Sequence, residues 1–123
     1  MIENREILIV EDDEGISDCI REILESAGYS VHSESDGRLA LDYLRSGAVS
    51  PCLILLDLMM PQMGGYQFRT EQLGDPMISG IPVVIMTADG RIEAKKEDLR
   101  ADGYIRKPMG IESLLDEIRR LCP

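Results

Sequence analysis

Positive charge is scarce in this chain. Its 123 residues include 13 lysines and arginines against 23 aspartates and glutamates, which gives a formal net charge of −10. Because nucleic acids and anionic membrane surfaces attract cationic proteins, this excess of negative charge opposes direct binding to either. Any effect on DNA would therefore require another chain or domain.

Long hydrophobic runs are also missing. No apolar stretch approaches the roughly 20 residues that a membrane-spanning helix needs. The first apolar run, at residues 7–10, begins almost at once and has no basic leader before it, so no signal peptide is visible. The length suits one domain. We therefore expect a single cytoplasmic domain over residues 1–123, with no output domain in this chain.

The three cysteines include no Cys-x-x-Cys pair, the spacing typical of many metal and redox sites. Cys19, Cys52 and Cys122 are widely separated, and each lies in an apolar pattern that suits a small buried side chain. The sequence therefore predicts three free structural thiols.

Apolar segments of two kinds alternate along the chain. Short runs rich in Val, Ile and Leu are typical of buried strands, and between them apolar residues recur at helical spacing. This alternation predicts an α/β fold built on a parallel sheet. Residues 31–34 are more polar and predict an edge strand. Asp36 is placed to cap the second helix. Residues 91–100 have few apolar anchors and predict only a short helix.

Carboxylates follow two of the predicted strands directly. Glu11 and Asp12 come after the first run, and Asp57 comes after the run at residues 53–56. Ligands of open α/β sheets bind outside the carboxyl ends of the strands, so these acids are expected to meet. Mg²⁺ prefers such oxygen ligands and would offset their repulsion. Asp12 is the expected direct ligand and Glu11 a direct or water-mediated one. Asp13 is a further candidate, although solvated loop charge or helix N-terminal charge explains neighbouring acids equally well.

Asp57 is also a candidate nucleophile, since a carboxylate can attack a phosphoryl group and form an acyl phosphate. Thr87 follows the apolar run at 83–86, and Lys107 comes shortly after residues 104–105. A hydroxyl and an amine at this edge could bind phosphoryl oxygens, and phosphoryl transfer depends chiefly on such positioning and charge stabilisation. The alternatives are a turn cap for Asp57 and structural or solvated roles for Thr87 and Lys107.

Four segments together resemble the receiver domain of bacterial two-component response regulators. They are ILIVEDDE at 7–14, LLDLMMP at 55–61, MTA at 86–88 and YIRKP at 104–108, and the resemblance covers essentially the whole chain. It implies a flavodoxin-like, doubly wound sheet of five parallel strands in the order 2-1-3-4-5, with about five helices. The segment from Thr87 to Lys107 is about two residues short for the family, which again points to a short fourth helix.

The resemblance implies a role for each matching position in the acid cluster. Asp57 corresponds to the phosphoacceptor. Glu11 and Asp12 correspond to the acidic pair that holds Mg²⁺, for which Mn²⁺ can substitute. The remaining protein ligand corresponds to the backbone carbonyl of Met59, so the side chain at that position need not be polar.

The other matching positions correspond to the switch. Thr87 matches the switch hydroxyl, Tyr104 the aromatic switch residue and Lys107 the phosphoryl-binding amine. The family also implies a cis peptide bond before Pro108. Phosphorylation is expected to change the surface formed by the fourth predicted helix, the fifth strand and the last helix.

The implied function is a signalling switch that catalyses its own phosphoryl transfer and dephosphorylation. The implied donor is a phosphohistidine on a sensor histidine kinase or a histidine phosphotransfer protein, and the domain would be a monomer or a phosphorylation-dependent dimer. Two alternatives remain. A phosphatase with an Asp nucleophile usually carries a second Asp two residues on, where Met59 stands. A phosphorylation-independent interaction module would not need the full set of site residues.

Overall fold

The computed structural model describes residues 5–47, 49–58, 60, 63–88, 99–107 and 110–123. Strands and helices alternate in these residues. In chain order they are β1 (Glu6–Val10), α1 (Glu14–Ser26), β2 (Ser30–Glu34), α2 (Gly37–Arg45), β3 (Leu53–Asp57), α3 (Gly65–Leu73), β4 (Val83–Thr87), β5 (Gly103–Arg106) and α4 (Ile111–Leu121). The helix predicted within residues 91–100 falls almost wholly outside the described residues.

All five strands are parallel and lie in the order β2-β1-β3-β4-β5, which confirms the doubly wound arrangement. The polar run is indeed an edge strand, since β2 pairs only with β1 in this order. No helix in the described part of the chain is both long and apolar enough to cross a bilayer.

Alternation along each strand divides the core into two layers. Leu8 and Val10 face a cluster that includes Phe68 of α3, whereas Ile7 and Ile9 face a cluster that includes Ile118 of α4. Successive side chains of a strand point to opposite faces, so strands that are apolar throughout can bury both faces under helices. The ends of the strands are therefore the part of the sheet open to polar chemistry.

Side-chain hydrogen bonds mark the starts of α1 and α2. The side chain of Asp36 accepts from the backbone N–H of Leu39 at 2.9 Å, which confirms the predicted cap of α2. Asp13 caps α1 in the same way, accepting from Ile16 at 3.1 Å. An Asp at the N-cap pairs a backbone donor that the helix leaves unbonded.

A buried arginine on α3 fixes the chain just before β5. Arg69 is only 4% exposed, and its guanidinium donates to the carbonyl oxygens of Leu99 at 2.7 Å and Arg100 at 2.6 Å, and to Oε1 of Gln72 at 2.7 Å. Burial lowers the pKa of Arg69, and the charge of Asp102 opposes that change. A charged group is tolerated in such a place when its donors are satisfied.

Replacing Arg69 with Met is expected to lower the free energy of unfolding by about 3 kcal/mol, because three acceptors lose their donor and two of these hydrogen bonds are buried. Urea unfolding measures this change. The matched control is Arg38→Met, since Arg38 lies on α2 with a side chain 65% exposed and should cost far less. Equal losses in the two variants would contradict a structural role for the buried guanidinium.

Candidate functional site

Three carboxylates meet at the carboxyl ends of β1 and β3. Glu11, Asp12 and Asp57 each offer one oxygen, and these oxygens lie within 4.8 Å of one another. Parallel pairing aligns Val10 with Leu56, so Glu11, just after β1, falls at the same level of the sheet as Asp57, the last residue of β3. The predicted convergence of these acids is therefore present in the structure.

Burial makes this cluster unlike an ordinary acidic surface. Glu11 and Asp57 are 3% and 4% exposed, whereas Asp12 is exposed to solvent. The backbone N–H of Glu11 donates to the carbonyl oxygen of Glu34 at 3.1 Å and thereby continues the ladder between β1 and β2 past the strand end. Two fixed, buried carboxylates and one accessible carboxylate form a set of hard oxygen ligands that fits Mg²⁺, which keeps part of its water shell.

The side chain of Lys107 faces the two buried acids. The Nζ atom of Lys107 lies 2.7 Å from Oε1 of Glu11 and 3.4 Å from Oδ1 of Asp57. The backbone N–H of Lys107 donates to the carbonyl oxygen of Thr87 at 2.8 Å, directly after the pairing of β4 with β5. The sheet thus brings the amine, which is 50 residues from Asp57 in sequence number, to the acid cluster.

Burial and neighbouring charges compete in setting the pKa values of Glu11 and Lys107. Burial raises the pKa of Glu11, and the charge of Asp57 adds to this effect, although the hydrogen bond from Lys107 acts in the opposite direction. Burial also disfavours the charged form of Lys107, but its contacts with Glu11 and Asp57 outweigh burial and raise the pKa of the amine. The site therefore holds a protonated amine beside a buried glutamate that resists ionisation.

The remaining predicted residues lie at or beside this edge. Thr87 is the last residue of β4 and is 1% exposed. Tyr104 lies in β5, is partly buried and packs against the core layer beneath α2 and α3. The proposed carbonyl ligand of Met59 and the peptide bond before Pro108 fall outside the described residues. Asp13 is the N-cap of α1, so the helix accounts for the third neighbouring acid.

A close backbone contact lies below the site and was not predicted from the sequence. The adjacent glycines Gly64 and Gly65 do not supply unusual backbone angles, since Gly64 has a φ of −75° and Gly65 is not in the left-handed region. What Gly65 provides is space. A Cβ atom there would lie 2.8 Å from Cα of Leu58 and 2.9 Å from the carbonyl oxygen of Asp57. The first turn of α3 can therefore pack directly against the backbone of Asp57.

The prediction of three free buried thiols was wrong in two respects. Cys52 and Cys122 are joined by a disulfide, with their Cα atoms 6.0 Å apart, and Cys19 is a free but exposed cysteine. The two bonded residues are 70 apart in sequence. No local spacing pattern could reveal this pairing, because the sheet and α4 bring the residues together.

Fold and site together define a class of protein. It is a doubly wound α/β domain with buried acids at the ends of β1 and β3, a hydroxyl at the end of β4 and a lysine after β5. The chain belongs to the response regulator receiver domain family, whose model matches residues 7–119. It is thus a regulatory domain of two-component signalling.

Known proteins of this family are similar over nearly the whole chain. The DNA-binding dual master transcriptional regulator RpaA of Synechocystis sp. is 38% identical over 121 residues, which cover 94% of this chain and 48% of that protein. The chain therefore spans about half the length of this curated relative, and the same holds for Response regulator MprA of Mycolicibacterium vanbaalenii, at 34% identity.

Solved structures give the same result. The signal receiver domain of a signal transduction histidine kinase from Syntrophus aciditrophicus has a TM-score of 0.86 and 34% identity, covering 95% of this chain and 89% of that chain. The receiver domain of sensor histidine kinase PA1611 from Pseudomonas aeruginosa has a TM-score of 0.85 and 25% identity, with 98% of both chains covered. That structure holds a magnesium ion coordinated in its active site cleft.

Proposed function

We propose that this chain is a phosphorylation-dependent signalling switch in which Asp57 accepts a phosphoryl group from a phosphohistidine donor. The observation that carries the proposal is the placement of Asp57 in a buried acid cluster with the Lys107 amine 3.4 Å away. The carboxylate of Asp57 attacks phosphorus, the bond to the donor nitrogen breaks, and an aspartyl phosphate remains. The domain catalyses this transfer and the later hydrolysis of the aspartyl phosphate, in which water takes up the phosphoryl group as inorganic phosphate and Asp57 is restored, and it has no separate substrate pool.

We assign the metal to Glu11, Asp12 and Asp57, with the backbone carbonyl of Met59 as a further ligand. Mg²⁺ is the natural occupant and Mn²⁺ a substitute, since the donors are hard oxygen atoms. When bound, the cation supplies charge that offsets the phosphoryl oxygens. Glu11 must be ionised to contribute, and because its pKa is raised, protons displace the cation increasingly as the pH falls.

Lys107 and Thr87 take the other phosphoryl oxygens in this proposal. In the free protein the amine neutralises Glu11, and after phosphorylation it contacts the new anionic group on Asp57. The hydroxyl of Thr87, at the end of β4, donates a hydrogen bond to the phosphoryl group. Tyr104 turns inward as Thr87 moves. New contacts made only in the phosphorylated form are what shift a two-state equilibrium.

The phosphoryl donor has a docking surface beside the site. An apolar groove between α1 and α4 is lined by Ile16, Ile20 and Leu114, and it reaches Asp13 and Lys107 at the acid cluster. Its continuity with the site favours a sensor histidine kinase or a histidine phosphotransfer protein as its occupant. We place this exchange in the cytoplasm, with the receiver domain occupying residues 1–123 and acting as a monomer or a phosphorylation-dependent dimer. The output belongs to another domain or protein.

Incubation of the protein with acetyl phosphate tests the proposal. Intact-mass measurement is expected to find one phosphoryl adduct per chain with Mg²⁺ present and none after chelation with EDTA. The adduct should be lost on treatment with hydroxylamine, which cleaves acyl phosphates. A protein that stays unmodified at saturating Mg²⁺, while remaining folded, would instead support a phosphorylation-independent interaction module.

A further inference from the structure

The disulfide lies at the amino-terminal end of β3, opposite the end that carries the acid cluster. Cys52 directly precedes β3, whose last residue is Asp57, so about 16 Å of extended chain separates the Cα atoms of Cys52 and the phosphoacceptor. Cys122 directly follows α4. The bond therefore joins the end of the last helix to the start of the central strand.

Non-covalent contacts hold both cysteines in place independently of the bond. The hydroxyl of Tyr29 donates to the carbonyl oxygen of Cys122 at 2.5 Å, and Arg5 donates to the carbonyl oxygen of Pro123 at 2.9 Å. The backbone N–H of Cys52 donates to the carbonyl oxygen of Glu6 at 2.9 Å. A Cα separation of 6.0 Å lies in the ordinary range for a disulfide. The fold would therefore keep the two thiols adjacent after reduction.

The two bonded cysteines differ in their exposure to solvent. Cys122 is 5% exposed and packs in the core layer with Ile118, whereas Cys52 is only partly buried against the same layer. Thiol–disulfide exchange depends on which sulfur a reagent can reach. Small oxidants and thiols should therefore react first at Cys52, with Cys122 as the resolving partner inside the protein.

We propose that Cys52 and Cys122 form a redox modification site, whose reversible oxidation fixes the end of α4 to the start of β3. With a low-molecular-weight disulfide as oxidant, the Cys52 thiolate attacks one sulfur and releases one thiolate. The Cys122 thiolate then attacks Cys52 in the mixed disulfide and releases the second. The two protons of the cysteines end on the two released thiols, so the protein loses two electrons and the oxidant gains them.

The bond would respond to conditions inside the cell. This step rests on the cytoplasmic location in the proposed function, because that compartment normally keeps thiols reduced and forms disulfides only under oxidative load. In the reduced state only non-covalent contacts, those of Tyr29 and Arg5 among them, hold the end of α4, so the last turn of that helix should open more often. In the oxidised state the last turn is tied to the sheet.

Oxidised glutathione and dithiothreitol test this proposal on the whole chain. After oxidation, alkylation followed by intact-mass measurement should find one reactive thiol, Cys19, and after reduction and unfolding it should find three. The thermal midpoint should be about 5–15 °C higher in the oxidised protein, because the bond closes a loop of about 70 residues. Hydrogen exchange should slow in the last turn of α4.

Two serine variants provide the controls. Cys19→Ser should keep the full rise in thermal midpoint on oxidation, and Cys52→Ser should show no rise. Three alkylated thiols after exposure to oxidised glutathione, or a rise that survives in Cys52→Ser, would overturn the proposal. The acetyl phosphate reaction is read separately on the same samples. Failure of phosphorylation with an intact redox response would count against the proposed function alone, and the reverse result against the redox site alone.

Discussion

Asp57→Asn is expected to abolish the phosphoryl adduct formed with acetyl phosphate and Mg²⁺. Asparagine has the same shape as aspartate but lacks the carboxylate that attacks phosphorus, so the acyl phosphate cannot form. The variant should remain folded, because replacing a 4% exposed carboxylate beside Glu11 with a neutral amide removes a repulsion from the buried cluster. Intact-mass measurement over a time course checks the adduct, and urea unfolding checks the fold.

Asp116→Asn supplies the matched control for this substitution. Asp116 is exposed on α4 and lies outside the acid cluster, so the variant should form the adduct at the rate of the unmodified protein. An adduct that persists in Asp57→Asn, and that peptide mapping assigns to a different carboxylate, would remove Asp57 from the acceptor role. The accessible Asp12 is the first residue to examine in that case.

Lys107→Met is expected to slow adduct formation by about 100-fold at saturating Mg²⁺. The amine lies 3.4 Å from Asp57, where it can stabilise the charge that develops on the phosphoryl oxygens. Removal of one such preorganised group typically lowers the reaction rate by roughly 10²- to 10³-fold. Methionine keeps much of the apolar length of lysine. The initial rate of adduct formation at several acetyl phosphate concentrations measures the effect.

The affinity for Mg²⁺ is a second measurement that separates the effect of the charge of Lys107 from that of its packing. The amine competes with a bound cation for Glu11, so Lys107→Met should bind Mg²⁺ more tightly even as it reacts more slowly. Arg106→Met is the control, since Arg106 is the exposed neighbouring cation at the end of β5 and should change neither quantity. Unchanged reaction rates in both variants would mean that Lys107 serves only to neutralise the free acid cluster.

The strands and most helices were predictable because their signals are local. Apolar runs of strand length alternate with helical patterns, and both kinds of segment are found where the pattern predicts them. Asp36 was predicted as an N-cap because a short acidic side chain before a helix can bond its own backbone. The polar character of residues 31–34 indicated a sheet edge, since a strand there is less buried than the strands within the sheet.

The site was predictable to the extent that strand ends determine it. Glu11, Asp57, Thr87 and Lys107 all follow apolar runs, and parallel strands bring such residues to one edge whatever their separation in sequence. The ion pair between Glu11 and Lys107 could not be derived in this way. It depends on side-chain directions at a distance of 2.7 Å, which the order of residues does not specify.

The buried polar network and the disulfide were missed for a related reason. Arg69 occupies a helix position that sequence alone would assign to solvent, and its buried environment arises from carbonyl groups 30 residues away that turn toward it. Likewise, the apolar patterns around Cys52 and Cys122 suggested burial but did not indicate that the two cysteines lie close together. Contacts between distant segments form only when the whole chain is packed, so no local sequence pattern indicates them.

By itself, the sequence determined the alternation of strands and helices, the two-sided burial of the sheet and the acids, hydroxyl and amine that follow its strands. These properties depend on side-chain polarity and on periods of two or about 3.6 residues, which can be read along the chain. Only the tertiary structure decided which acids Lys107 contacts, why Gly65 must lack a Cβ atom and which cysteines meet. Those outcomes depend on interatomic distances of a few ångströms, and close packing of the strands and helices sets such distances.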